Sequence, residues 1–163
     1  MKYLITNKQF NLLMESTEDK ILMLPNPERI GGWHILQQLL EKKGNPRYGI
    51  RGDLDLRGVY IESLGNLERV EGNLVLFRSS IKSLGNLKYV GGYLKLHGAS
   101  HIQSLGNLEY VEGDLVLFRS SIESLGNLEY VGGNLDLRLT PLSKTTTKEE
   151  IKSKVNVVGK IYF

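Results

Sequence analysis

Arg57, Phe77, His97, Phe118 and Arg138 recur every 20 or 21 residues in this chain of 163, each directly after the second leucine of a Leu-x-Leu pair. Such a column offers two kinds of chemistry. A guanidinium presents a rigid fork of donors to carboxylates and phosphates, and an aromatic ring supplies apolar area and a stacking face. Arg78 and Arg119 directly follow the two phenylalanines. Two residues before this column lies a second one, Asp55, Val75, Lys95, Val116 and Asp136, and two before that a third, Asp53, Asn73, Tyr93, Asp114 and Asn134. The first two of these columns are nearly palindromic about the middle repeat.

Catalytic chemistry finds little support in the same residues. The three histidines, His34, His97 and His101, have no zinc-motif spacing, and the chain has no cysteine to supply a thiolate or a disulfide. Asp53 and Asp55 alternate on one strand face, but a carboxylate pair without a cleft names no reaction. No glycine loop suited to cradling phosphate occurs. Arg51-Gly52-Asp53 has the form of an adhesion tripeptide, yet it occupies the frame of Glu71-Gly72-Asn73 one repeat later, which already accounts for its glycine. The expectation is a protein without enzymatic activity, cofactor or metal.

A repeated frame must hold these columns. "SLGNL" begins at Ser63, Ser83, Ser104 and Ser124, and a glycine precedes each Leu-x-Leu pair at Gly52, Gly72, Gly92, Gly113 and Gly133. The single 21-residue step lies in "HGASHI", where the extra residue predicts a local bulge. Within a repeat, Leu74 and Leu76 point to one face of a short strand while Asn73, Val75 and Phe77 point to the other. Ile81, Leu84, Leu87 and Val90 follow at spacings of three, which predicts tight turns or 3₁₀ segments. One unit cannot enclose its six apolar side chains, so neighbours must stack into a solenoid with a parallel sheet. Strand spacing of about 4.8 Å then places Phe77 and Phe118, two rungs apart, at roughly 10 Å.

This apolar frame resembles the leucine-rich repeat in its short bacterial and phage form, and its "L..V.G.L.L" spacing is similar to the receptor L-domain repeat. The resemblance covers about residues 50–142 and implies a stack of short rungs. It departs from the pattern where an asparagine usually forms a buried ladder after the strand; Ser79, Ser80, Ser120 and Ser121 stand there instead, with hydroxyls able to satisfy turn backbone.

The two ends are expected to be closed by helices. Thr6 and Gln9 have capping-box spacing ahead of Phe10, Leu13 and Met14, and Thr147 and Glu150 repeat that signal ahead of Ile151 and Val155. "VVGKIYF" then restores the frame as a final strand, Val157, Gly159, Ile161 and Phe163 matching Val70, Gly72, Leu74 and Leu76. In "LPNPERIGG", Leu24, Asn26, Glu28, Arg29, Ile30 and Gly32 match Leu64, Asn66, Glu68, Arg69, Val70 and Gly72, which predicts a degenerate repeat. A helix follows from near Trp33, through Leu36 and Leu40, to a stop at Gly44 and Pro46. One continuous domain results, with an N-terminal helical cap over 1–49, five rungs over 50–142 and a cap helix with a final strand over 143–163.

A formal charge of +3 is too small to imply a nucleic-acid partner by itself. The opening lacks the apolar core of a signal peptide and no stretch is long enough to cross a bilayer, so the expected location is the cytoplasm, without membrane attachment. On a rigid sheet face, phenylalanine beside arginine matches the residues enriched at interface centres. The strand face is therefore expected to bind a macromolecule through Val75, Phe77, Lys95, His97, Val116 and Phe118. Arg57, Arg78, Tyr93, Arg119, Asp136 and Arg138 surround them. Plain support of the sheet is the simplest competing role for these side chains. A nucleotide or nucleic acid held by the arginines and stacked on the rings is another reading, opposed by the aspartates on the same face. Self-assembly through the face is a third, for a chain otherwise expected to be a monomer or to self-associate weakly. The opening "KYLITNKQFNLLMES" resembles the starts of phage proteins, and that resemblance implies a bacterial host protein, a component of host defence, as partner in the host cytoplasm.

Overall fold

A computed structural model describes residues 21–163; the capping signals at Thr6 and Gln9, and the helix expected to follow them, lie outside the described residues. Parallel strands stack into a β-solenoid in which each rung from Tyr48 onward contributes to two sheets. One sheet contains β1 (Leu22–Leu24), β2 (Tyr48–Ile50), β4 (Leu67–Val70), β6 (Tyr89–Val90), β8 (Tyr110–Val111), β10 (Tyr130–Val131) and β12 (Asn156–Val157), in that order. The other runs through β3 (Leu54–Asp55), β5 (Leu74–Val75), β7 (Leu94–Lys95), β9 (Leu115–Val116), β11 (Leu135–Asp136) and β13 (Ile161–Tyr162).

The Leu-x-Leu pairs form the second sheet as the alternation predicts, with both leucines of every pair buried. The segment spaced by threes behaves differently from the expectation of turns alone. Ile81, Leu84 and Leu87 line turns, but Val90 belongs to a strand of the other sheet, and the one 3₁₀ segment among the described residues is Pro27–Ile30. The turn has a local cause: Ser83 Oγ accepts the Gly85 N–H at 3.0 Å, and Ser63, Ser104 and Ser124 do the same for the glycine two residues on. After the turn, Tyr89 and Val90 are residues suited to a pleated, half-buried surface.

Glycine heads the Leu-x-Leu strands from Gly72 to Gly133 because each touches the preceding rung there, while Gly52 has open space and a φ of 79°. A Cβ on Gly113 would fall 2.8 Å from Gly92 C and from Tyr93 N. Beside this contact runs a polar ladder that sequence reading did not anticipate. Asp53 Oδ1 accepts the Asn73 N–H at 2.7 Å, Asn73 Oδ1 accepts the Tyr93 N–H at 3.0 Å, and Asp114 Oδ1 and Asn134 Oδ1 repeat the pattern toward Asn134 and Lys160. The Asx ladder thus precedes the strand instead of following it.

The serines after the strand do satisfy backbone. Ser79 donates to the Leu76 carbonyl at 2.8 Å, Ser80 to Ile61 at 2.9 Å and Ser121 to Ser100 at 2.9 Å, whereas buried Ser120 Oγ has no partner. The extra residue of "HGASHI" is absorbed in the loop between Ala99 and Ile102. The strands on either side keep their register, Tyr89 opposite Tyr110 and Leu94 opposite Leu115.

Helix α1 (Trp33–Glu41) begins where its spacing predicts and buries Trp33, Leu36 and Leu40. The preceding segment requires a correction: Leu24, not Ile30, lies under Ile50 and Val70 in the sheet register. Residues matched by sequence are therefore offset by six positions, and Asn26-Pro27 follows a strand. Asn26 caps the 3₁₀ segment, its side chain accepting the Glu28 N–H at 2.9 Å. Near the C-terminus come α2 (Leu142–Thr145) and α3 (Lys148–Lys154). Thr147 and Glu150 form the reciprocal capping box at the start of α3. Beyond it, Val157 pairs with Val131 and Ile161 with Leu135, as the restored frame predicts.

Candidate interaction face

The outward side chains of the Leu-x-Leu sheet are set by strand alternation, and in-register parallel pairing lays each column straight across the rungs. His97 sits between the two phenylalanines. Its ring centroid lies 5.0 Å from that of Phe77 and 4.9 Å from that of Phe118, so the three rings form one continuous aromatic strip. Both phenylalanines are half-buried by these neighbours, more covered than an exposed column implies. The expected two-rung separation holds.

Charge on this face is divided between paired and unpaired groups. Arg138 donates from Nε to Asp136 Oδ1 at 2.9 Å and from Nη2 to Asp136 Oδ2 at 2.6 Å; Arg57 grips Asp55 in the same manner. Hydrogen bonds from the arginines hold both carboxyl groups below the usual carboxylate range, against the opposing effect of partial burial. Asp136 is itself buried. The Arg138 guanidinium also lies 5.5 Å from the Phe118 centroid and 5.5 Å from that of Tyr162, which extends the strip by one rung. Residues two apart on a strand share a face, so Asp-Leu-Arg at 55–57 and 136–138 carried a readable signal for these pairs.

Among the described residues, Arg78, Lys95 and Arg119 have no carboxylate partner within salt-bridge distance. Each lies over a ring instead: Arg78 4.9 Å from the Phe77 centroid, Arg119 5.2 Å from that of Phe118, and Lys95 4.2 Å from that of Tyr93. Arg78 and Arg119 also adopt left-handed backbone, φ 51° and 55°, where the equivalent residues of two other rungs are Gly58 and Gly98. Left-handed geometry costs an L-residue roughly 1–2 kcal/mol relative to its preferred basins. Aligned rungs contain that signal too, since glycine alternates with arginine at this position.

The surface between the columns is a shallow depression of about 360 Å³, lined by Arg57, Val75, Phe77, Tyr93, Lys95, His97 and Val116. Phe118, Arg119, Asp136 and Arg138 continue the same face toward the C-terminal rungs. The arrangement presents Val75 and Val116 on either side of Lys95, a continuous strip of rings tilted by 48° and 62° to one another, and the unpaired Arg78 and Arg119 beside it. Among the described residues, no group of three or more His, Cys, Asp or Glu side chains is placed to hold a metal ion, and no helix is long and apolar enough to cross a membrane. No protein-family model, curated protein or solved structure matches the chain.

Proposed function

We propose that this protein is a non-enzymatic interaction module that binds another protein through the outer face of its Leu-x-Leu sheet. The observation that supports this reading is the Phe77–His97–Phe118 strip flanked by Arg78 and Arg119, two arginines kept in left-handed backbone beside the phenylalanines. Strained residues cluster where the surrounding structure uses them, and aromatic plus arginine side chains dominate interface energetics. The solenoid is read as leucine-rich-repeat-like, with the helices Trp33–Glu41 and Lys148–Lys154 as its end lids; the buried Leu-x-Leu frame supports that class. A bacterial host protein, encountered in the cytoplasm by a phage-encoded chain, is the partner this reading proposes.

Affinity capture from bacterial lysate tests the face directly. A partner held by the wild type and lost by the Phe77→Ala/Phe118→Ala double variant, with the fold intact by circular dichroism, supports it; equal capture by both refutes it. Retention that collapses steeply with added salt would instead favour the nucleotide or nucleic-acid reading, because polyanion binding releases counterions. Light scattering at high concentration separates both from self-assembly.

A further inference from the structure

We propose that the occupant of this face is an extended acidic protein segment carrying an apolar side chain between two carboxylates; the inference rests on the interaction face proposed above. Charge complementarity leads to it. The carboxylates of Asp55 and Asp136 are consumed by Arg57 and Arg138, so they cancel the charge of those arginines and leave Arg78, Lys95 and Arg119 as the uncompensated groups around the depression. A guanidinium laid against a ring keeps its edge N–H donors available, the geometry in which arginine takes a carboxylate through two parallel bonds.

Spacing narrows the ligand further. Arg78 and Arg119 lie two rungs apart, roughly 10 Å on strand spacing. A segment in polyproline II conformation advances about 3.1 Å per residue and presents every third side chain to the same side, so carboxylates three positions apart reach both arginines when the segment runs across the rungs. Between them the segment passes over Gly98 and alongside the Phe77–His97–Phe118 strip, which suits an aliphatic or aromatic side chain. Asp53 and Asp114, exposed in the third column, disfavour a polyanion whose charges continue beyond the two arginines. A short acidic segment confines its charge to where the cations are.

Fluorescence anisotropy with blocked synthetic peptides tests this. The probes are a Glu-x-x-Glu peptide with leucine at a central position, its Lys-x-x-Lys counterpart and an oligothymidylate. The acidic peptide should bind in preference to both others and should lose about tenfold in affinity in Arg78→Gln/Arg119→Gln, which removes the charged fork while keeping a polar L-residue at each position. Charge reversal by Arg78→Glu/Arg119→Glu should switch preference to the lysine peptide. Equal binding of acidic and basic peptides, unchanged affinity in the glutamine variant, or tighter binding of the oligothymidylate overturns the inference. The glutamine variant also enters the lysate capture. A partner lost by the phenylalanine double variant but kept by the glutamine variant removes the acidic inference and leaves the face standing; a partner kept by both removes the face as well.

Discussion

Residues that follow the outer column, Gly58, Arg78, Gly98, Arg119 and Leu139, all have positive φ, between 51° and 70°, which makes backbone strain measurable one rung at a time. In Gly98→Ala the new Cβ would lie 3.6 Å from Arg78 Cγ, an ordinary contact, so no clash contributes and the backbone alone decides. Left-handed geometry costs alanine about 1–2 kcal/mol, and the lower unfolded-state entropy returns about 0.5–1 kcal/mol. The variant should lose about 0.5–1 kcal/mol. Leu139→Gly runs the same balance in reverse at a residue 60% exposed, so it should gain a similar amount, about 1–4 °C in midpoint for a domain of this size. Arg78→Gly gives up an exposed cation–π contact of about 0.5–1 kcal/mol as it sheds the strain, and should come out within about 0.5 kcal/mol of wild type. Urea denaturation of the three variants reads these differences directly. A Gly98→Ala protein as stable as wild type would refute the strain argument, and with it the claim that Arg78 and Arg119 are held at a cost.

Three further outcomes follow from individual contacts. Ser79→Ala loses the hydrogen bond to the Leu76 carbonyl and should cost about 0.5–1 kcal/mol, because that carbonyl keeps the Ser79 N–H; Ser120→Ala removes a buried hydroxyl without a partner and should be neutral or stabilising by up to about 1 kcal/mol. Thermal midpoints of the pair check the contrast, and Ala99 already fills the equivalent place in the middle rung. Gly113→Ala forces a Cβ into the backbone of the neighbouring rung and should cost about 3 kcal/mol or more, visible as loss of cooperative unfolding. The carboxyl of Asp136 titrates lower folded than unfolded, so its contribution is complete above the ordinary carboxylate range and disappears as pH falls through the depressed value. Asp136→Asn should therefore be less stable than wild type by about 1 kcal/mol near neutrality, with the gap in urea midpoints closing as pH falls below the ordinary carboxylate range.

The part of the fold legible in the sequence is the part carried by side-chain alternation. Leu74 and Leu76, Val75 and Phe77, and their equivalents fall on the expected faces because period two leaves no second choice. The second sheet was hidden because Leu87 and Val90 straddle the end of a turn, where spacing in sequence no longer reports strand geometry. The offset at Leu24 has a similar cause: Asn26, Glu28 and Arg29 resemble Asn66, Glu68 and Arg69 in type, yet register follows hydrogen bonding of β1 to β2, not that likeness. The Asx ladder lies ahead of the strand, where the leucine-rich-repeat pattern, with its asparagine after the strand, has no counterpart. Of the candidate face, the columns were legible, while the division into paired and unpaired arginines needed coordinates, even though Asp-Leu-Arg on one strand face hinted at it.

In-register stacking also explains why residues 70–83 and 111–124, two rungs apart, differ only at Asn73/Asp114 and Lys82/Glu123. A column of identical side chains would place like charges about 4.8 Å apart, and like charges directly opposite one another destabilise a sheet. Duplication by two rungs avoids this. Arg57 and Arg138 stand at the ends of their column, His97 separates Phe77 from Phe118, and Lys95 stands between two valines. Because every strand runs in the same direction, the palindromic order is one of composition and carries no two-fold axis. A segment laid across the rungs meets arginine, phenylalanine, histidine, phenylalanine and arginine from either end, so selectivity at this face resides in the spacing of charges and apolar groups. The constraint that keeps the stack stable is thus the one that spaces Arg78 and Arg119 two rungs apart, with an aromatic strip between them.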